Sequence, residues 1–268
     1  MPEGPEVRHI VDALSERLTE KCLLKIDLLS GRYTRHGPPE GSFDLIKNLP
    51  RMITSVECHG KFIYFKLDEG WSIWSTLGMS GTWQSGATKH SRVKLTIEDD
   101  EIFFNDMRNF GTLRFVKGHD YLCRKLTKLG PDMLSQDITD FEFKNALRKR
   151  KNKTIVQAVM DQSVIAGVGN YLKAESLYMA RISPHRLCSS LSDREISALN
   201  KSIKSTIRES YRTGGATIST YQDFDGNSGK YTRRFAVYNQ DVDPIGNQVI
   251  KERTSDGRTT HWVPEVQN

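Results

Sequence analysis

Apolar residues recur at intervals of three and four positions at the start of the chain. The residues with this spacing are Val7, Ile10, Val11, Leu14 and Leu18. They share one face of a helix, which predicts a helix over residues 5–20. Proline is tolerated only in the first helical turn, so this helix is expected to begin at Pro5 or later. The first four residues should therefore project from its N-terminal end.

Residues 22–116 contain short apolar runs separated by turns such as Asp68-Glu69-Gly70. The predicted strands are Leu23–Leu29, Met52–His59, Phe62–Leu67, Trp71–Thr76, Val93–Ile97, Ile102–Phe104 and Thr112–Val116. Many short strands with turn signals are typical of a β-sandwich or a barrel. The N-terminal part of the chain is thus predicted to be a β domain.

The periodicity becomes helical after about residue 118. The predicted helices are Tyr121–Lys128, Asp140–Arg150, Thr154–Ser163, Tyr171–Ala180 and Asp193–Thr213. Ser192 and Glu195 have the spacing of a capping box at the start of the last of these helices. The glycine-rich residues 214–231 predict a loop, and Asp256-Gly257 predicts a hairpin between strands 248–253 and 258–263. The fold class is therefore α+β.

Composition and charge exclude some classes of protein. The chain has 268 residues with 39 Lys and Arg against 33 Asp and Glu, a net charge of +6. No window offers the roughly 20 apolar residues of a spanning helix, and no secretory signal is visible, so neither a membrane protein nor a secreted one is expected. The basic charge favours a polyanionic partner only weakly, because many enzymes are equally basic.

The four cysteines, Cys22, Cys58, Cys123 and Cys188, are far apart in sequence. No C-x-x-C, H-x-x-x-H or H-E-x-x-H spacing is present, so we expect no metal and no cofactor.

The N-terminus offers an unusual nucleophile. Removal of Met1 would make Pro2 a terminal secondary amine. A terminal amine has a pKa of about 8, against about 10.4 for lysine, so more of it is unprotonated at neutral pH. Such an amine can form an iminium with an aldehyde-like carbon, and Glu3 and Glu6 could move the protons. Proline and glutamate are also ordinary residues at a helix start, and spacing alone favours that interpretation.

A second candidate is Gly167-Val168-Gly169-Asn170. Gly167 could end one helix in the left-handed conformation, and Asn170 could cap the next. The backbone amides and the helix dipole would then form a seat for phosphate. The same pattern also suits an ordinary helical bundle.

Two segments place large side chains beside glycine. Met79 lies in Leu77–Gly81, and Arg108 and Phe110 lie in Asp106–Gly111. If exposed, they would suit insertion into a base stack. The alternative is that Met79 and Phe110 are core residues.

Cations at three places could contact phosphate. Lys61 follows Gly60 at a strand start, Arg258 follows the hairpin turn, and residues 148–153 include five cations. Each could equally be a solvated surface charge.

Taken together and in order, these segments resemble the formamidopyrimidine-DNA glycosylase/endonuclease VIII family of DNA glycosylases. The resemblance rests on Met1–Val7, His59–Phe62, the two glycine-flanked segments, Leu129–Asp132 and Gly167–Ser176. It implies an N-terminal antiparallel β-sandwich capped by the first helix, then a helix-two-turns-helix domain that ends in a β-hairpin. The corresponding ranges are 1–128, a hinge at 129–139, 140–231 and 232–268.

The resemblance also implies roles for single residues. Pro2 would be the nucleophile and Glu3 the general acid/base, with Lys61 beside them. Lys61, Asn170 and Arg258 would hold DNA phosphates. Glu6 and Glu175 would support the site. The side chains that would fill the gap left by an everted base are Met79, Arg108 and Phe110.

Two departures from the family pattern matter. The family usually ends in a four-cysteine zinc finger, whereas no cysteine follows Cys188 here, which is similar to the zinc-less finger of some endonuclease VIII-like members. The N-terminal segment and Asn170-Tyr171-Leu172 also favour that branch. Val156 stands where a lysine is expected in the formamidopyrimidine branch.

The hypothesis is a monomeric, bifunctional DNA glycosylase/AP lyase of base excision repair that acts on oxidised bases, chiefly pyrimidines, with hydantoins as a second candidate class. Its partner would be damaged duplex DNA, with single-stranded DNA as a second candidate, in a DNA-containing compartment such as the nucleus or the cytoplasm. The alternatives are a catalytically silent binder of damaged or bent DNA and an AP lyase without base excision.

Overall fold

The computed structural model describes residues 2–218, 224 and 226–268. These residues form two compact units. The first consists of residue 2, residues 6–128 and the described residues between 214 and 230, and the second of residues 3–5, 129–213 and 231–268.

The first unit contains an eight-stranded antiparallel sheet. Its strands are β1 (Cys22–Leu28), β2 (Arg51–His59), β3 (Phe62–Leu67), β4 (Trp71–Thr76), β5 (Gly81–Gln84), β6 (Ser91–Ile97), β7 (Asp100–Asp106) and β8 (Thr112–Lys117). The strand order is β5-β7-β6-β1-β2-β3-β4-β8. Only two residue pairs, Cys22 with Met52 and Leu23 with Arg51, join β1 to β2. The sheet therefore consists of two four-stranded halves with a narrow connection.

The two halves pack face to face. Trp83 on β5 contacts Phe65 on β3, with ring centroids 5.4 Å apart, and its indole N–H donates to the Ser75 hydroxyl on β4. The apolar face of helix α1 (Gly4–Leu18), including Ile10 and Leu14, is buried in the same core. The predicted sandwich with its N-terminal helix is confirmed.

Three further helices belong to the first unit: α2 (Arg32–Arg35), α3 (Ser42–Lys47) and α4 (His119–Leu126). Neither α2, α3 nor β5 was predicted, because each is only four to six residues long and too short to show a hydrophobic period. Helix α1 begins at Gly4, one residue before the predicted limit, and Pro5 lies in its first turn.

The second unit is built from helices and one hairpin. Its elements are α5 (Asp140–Arg148), α6 (Ile155–Met160), α7 (Asn170–Met179), α8 (Asp193–Arg212), β9 (Ile250–Arg253) and β10 (Thr259–Trp262). Ser192 and Glu195 form the predicted capping box of α8. Residues 171–177 of α7 are all buried, so this helix lies at the centre of the unit.

Helix α6 is shorter than predicted. It ends at Met160 because the Asp161 carboxylate accepts hydrogen bonds from the backbone N–H and the hydroxyl of Ser163, which stabilises a turn there. The prediction that Gly167 ends this helix is therefore wrong. Gly167 does have a positive φ of 94°, but it lies in the loop before α7.

The predicted C-terminal hairpin is confirmed, with Thr259 paired to Arg253 and Trp262 to Ile250. Behind it lies a small apolar cluster of Ala174, Val237, Val249 and Val263.

The described residues, which omit 1, 219–223 and 225, contain no group of three or more His, Cys, Asp or Glu side chains that could hold a metal ion. Within the same ranges, no helix has the length and apolar character needed to cross a membrane.

Candidate active site and nucleic-acid interface

The Glu3 carboxylate lies at the N-terminus of α7, and only 2% of the residue is exposed. One oxygen accepts from the Tyr171 N–H at 2.9 Å, and the other accepts from Gly169 at 2.8 Å and Leu172 at 3.3 Å. The first amides of a helix have no partner within the helix and carry a partial positive charge, so they stabilise an anion. Three backbone donors therefore hold the Glu3 carboxylate group in position.

Two glycines permit this contact. A Cβ atom on Gly169 would lie 2.3–2.6 Å from side-chain atoms of Glu3. The N–H of Gly4 donates to the carbonyl of Gly167 at 2.9 Å, and a Cβ on Gly4 would lie 3.1 Å from the Gly167 Cα. Gly169 and Gly4 thus allow residues 3 and 4 to approach the backbone before α7 closely.

The predicted capping role of Asn170 is wrong. Gly169 is the N-cap of α7, and Asn170 is the first residue of the helix. The physical reason is that Glu3, from the far end of the sequence, accepts from the Tyr171 and Leu172 amides at the start of the helix. No local pattern could have revealed that partner.

Asn170 instead lies beside the hairpin. Its Nδ2 donates to the carbonyl of Thr259 at 2.8 Å, while its Oδ1 is buried and has no hydrogen-bond partner in the described part of the chain. Arg258, the residue before Thr259, is exposed. The structure thus brings together Asn170 and Arg258, two of the three residues predicted to hold phosphate.

Glu175 fixes the segment that leads to the hairpin. Its carboxylate accepts from the backbone N–H groups of Ala236 at 2.8 Å, Val237 at 3.0 Å and Tyr238 at 2.7 Å. Burial raises the pKa of Glu175, and these three hydrogen bonds oppose that shift. Its predicted supporting role thus corresponds to contacts with the backbone of residues 236–238.

Pro2, Glu6 and Lys61 belong to the first unit. Pro2 is buried, and Lys61 lies half-buried in the turn between β2 and β3. Glu6 is also buried and accepts from the N–H of Ala216 at 2.7 Å, so it holds the start of the glycine-rich loop. Residues 219–223 and 225 of that loop lie outside the described residues.

Met79, Arg108 and Phe110 lie on two loops of the first unit. Met79 is 37% exposed and Phe110 is 54% exposed, and the Arg108 guanidinium lies 4.9 Å from the centre of the Phe110 ring. The alternative that Met79 and Phe110 are core residues is therefore wrong. Exposed apolar side chains are unfavourable in water, but they suit insertion between bases.

Sequence reasoning missed the contacts that join these two loops. The Ser80 hydroxyl donates to the Asp106 carboxylate at 2.6 Å and accepts from the Arg108 N–H at 2.9 Å. Asp106 also accepts from the N–H of Gly111 at 2.7 Å. Ser80 lies in Leu77–Gly81 and Asp106 in Asp106–Gly111, but nothing in their spacing indicated a hydrogen bond between the two loops.

The basic run at 148–153 is a mainly solvated end of α5. Its Arg150 pairs with Asp161 at 3.0 Å and donates to the Ser163 hydroxyl, whereas the other cations of the run are exposed. Local ion pairing accounts for Arg150, so it needs no DNA contact.

The fold and the site define a known class of protein. The chain matches the formamidopyrimidine-DNA glycosylase N-terminal domain over residues 1–113, its H2TH domain over 129–222 and its C-terminal domain over 229–268. The chain belongs to the formamidopyrimidine-DNA glycosylase family, a family of DNA glycosylases and AP lyases of base excision repair.

Particular members show how far the similarity extends. The chain is 32% identical to the formamidopyrimidine-DNA glycosylase of Desulfitobacterium hafniense over 274 residues, which cover 98% of each protein. The crystal structure of the MutM (Fpg) protein of Thermus thermophilus aligns with a TM-score of 0.88 at 31% identity, covering 99% of this chain and 98% of that one. A mutant Lactococcus lactis Fpg in complex with Fapy-dG-containing DNA aligns with a TM-score of 0.88 at 26% identity over the full length of both chains.

Replacement of Gly169 by alanine tests the geometry around Glu3. The new methyl group would overlap the Glu3 side chain, so we expect Gly169→Ala to lower the free energy of unfolding by about 1–3 kcal/mol, the usual cost of overpacking. Urea denaturation measures this change. Gly86→Ala is the matched control, because a Cβ there meets no atom within 4 Å. Equal stability of the two variants would contradict the described packing of Glu3.

Proposed function

We propose that this chain is a bifunctional DNA glycosylase/AP lyase that removes oxidised bases, chiefly pyrimidines and also hydantoins, through an iminium at a mature N-terminal Pro2. The observation that carries this proposal is the Glu3 carboxylate on the N-terminus of α7. Because Glu3 is adjacent to Pro2 in sequence, its fixed position restricts where the Pro2 nitrogen can lie. A reactive amine beside an immobilised acid/base is the arrangement that such chemistry needs.

The proposed reaction begins with the Pro2 nitrogen. It forms a bond to C1′ of the deoxyribose while the bond from C1′ to the damaged base breaks, and the base leaves with that electron pair and a proton. Glu3 assists the proton transfers. The sugar ring opens to an iminium, which makes the C2′ proton acidic. Loss of that proton expels the 3′ phosphate, and a second elimination expels the 5′ phosphate.

Other residues would hold the DNA. Asn170 and Arg258 are neighbours on the second unit, and we propose that both bind phosphate, together with Lys61 of the first unit. Met79, Arg108 and Phe110 would occupy the gap left by the everted base. Their exposure on two tied loops supports this role, because a rigid wedge keeps bases apart at a smaller entropic cost. We expect a monomer to bind damaged duplex DNA.

The lesion preference rests on two features of the chain. Residues 232–268 contain no cysteine, so they lack the thiolate donors of a four-cysteine zinc finger. Val156 is fully buried in α6 and offers no charged group where a lysine is expected in the formamidopyrimidine branch. Both features favour an endonuclease VIII-like preference for oxidised pyrimidines, although the relatives named above are formamidopyrimidine-DNA glycosylases.

Borohydride trapping tests the nucleophile. The mature protein, incubated with a thymine glycol duplex and borohydride, should form a covalent adduct that mass spectrometry of a protease digest locates on Pro2. Retention of Met1 should abolish the adduct, because the nitrogen is then an amide. Pro38→Gly, at an exposed proline, should be trapped like the parent. An adduct located on a lysine would refute the assignment, and binding without any adduct would support the silent binder.

A panel of duplexes tests the lesion preference. Under single-turnover conditions, we expect faster base release from thymine glycol than from 8-oxoguanine. The reason is that this chain has Val156 at the position where the formamidopyrimidine branch is expected to have a lysine. Faster release of 8-oxoguanine would contradict the pyrimidine preference but not the enzyme. Cleavage of abasic DNA without release of any base would instead identify an AP lyase alone.

A further inference from the structure

The turn of the C-terminal hairpin is held by an ion pair from the helix behind it. Lys173, on α7, lies 2.6 Å from the Asp256 carboxylate, and the two side chains are 0% and 3% exposed. The ammonium group also donates to the Thr260 hydroxyl at 2.8 Å. The turn between β9 and β10 is thus linked directly to α7, whose first turn contains Asn170 and donates to Glu3.

The second Asp256 oxygen organises the turn itself. It accepts from the Thr254 hydroxyl at 2.6 Å and from the backbone N–H of Arg258 at 3.3 Å. The Thr254 N–H donates to the carbonyl of Arg258 at 3.0 Å, which closes the turn. Arg258 is therefore the exposed end of a hydrogen-bonded chain that starts at the buried Lys173.

Burial of an ion pair costs desolvation free energy, so a gain in the free energy of unfolding does not explain why Lys173 and Asp256 are present. Removal of two charges from water offsets most of their attraction, so apolar side chains of similar volume often stabilise a protein equally well. Burial lowers the pKa of Lys173, and Asp256 opposes that shift. What an apolar pair could not supply is the acceptor for the Arg258 N–H. The pair therefore restricts the turn between β9 and β10 to one geometry.

We propose that Lys173 and Asp256 are positioning residues that hold Arg258 in place beside Asn170 for the same stretch of DNA backbone. This inference rests on the proposed function in one respect, that Arg258 contacts a phosphate. The pair would give the cysteine-free hairpin a fixed link to α7 that depends on no metal. Lys173 and Asp256 do not themselves touch the DNA.

The test is a double-mutant cycle on binding to a duplex with a tetrahydrofuran abasic analogue, measured over a range of salt concentrations. Arg258→Ala should reduce the slope of log K against log salt by about 0.9 and weaken binding about tenfold. Lys173→Met combined with Asp256→Leu should have a similar effect, because the turn loses the acceptor for the Arg258 N–H. Added to Arg258→Ala, the same pair of changes should weaken binding no further.

Two controls separate positioning from folding. The apolar double variant should keep the thermal midpoint of the parent within a few degrees, since it leaves no buried charge unpaired. Lys144→Met, which breaks the pair between α5 and Asp193 at 2.5 Å, should leave the dependence of affinity on Arg258 intact.

The outcomes are distinguishable. An unchanged salt slope in Arg258→Ala would remove the proposed phosphate contact and this inference with it. If Arg258→Ala reduces the salt slope but the losses of affinity add up in the combined variant, the phosphate contact stands and the positioning role of Lys173 and Asp256 is refuted. A folded apolar double variant that binds like the parent would do the same.

Discussion

The contact between the Glu3 carboxylate and the first amides of α7 is the constraint on which the remaining site geometry depends. A carboxylate at a helix N-terminus is stabilised by unpaired N–H groups and by the helix dipole. Here the donors belong to residues 169, 171 and 172 and the acceptor to the third residue of the chain. Glycine is needed at residue 169 because a side chain there would overlap Glu3. Residues 3–5 thereby belong to the helical unit.

Helix α7 also fixes the C-terminal part of its unit through side-chain contacts. Asn170 binds the start of β10, Lys173 binds the hairpin turn, and Glu175 binds the segment before the hairpin. These three residues lie within two helical turns, so one buried helix sets the position of the C-terminal segment. The first unit uses a smaller device of the same kind, in which Ser80 and Asp106 tie together the loops that carry Met79 and Phe110.

The fold was predictable where the hydrophobic period was long enough to read. The longer strands and helices lie within a few residues of their predicted bounds, whereas β5, with the single buried apolar residue Trp83, gave no period. The candidate site residues could be identified only from the order in which the motifs follow one another along the chain. Each motif alone also had an ordinary structural interpretation. The capping role of Asn170 was wrongly predicted because Glu3, which accepts from the Tyr171 amide, lies 168 residues away from it in sequence. Lys173 was overlooked because its partner Asp256 lies 83 residues away. Pairing over such distances leaves no trace in local spacing.

The most direct measurement compares Glu3→Gln with the parent on two substrates under single-turnover conditions. Glutamine keeps the size of the side chain and one carbonyl acceptor for the amides of α7, but it cannot exchange a proton. We predict that base release from an oxidised pyrimidine falls by about 100-fold or more. The iminium at a preformed abasic site should still be trapped by borohydride, because that step needs the Pro2 nitrogen. Base release at the parental rate by a folded Glu3→Gln protein would contradict the account.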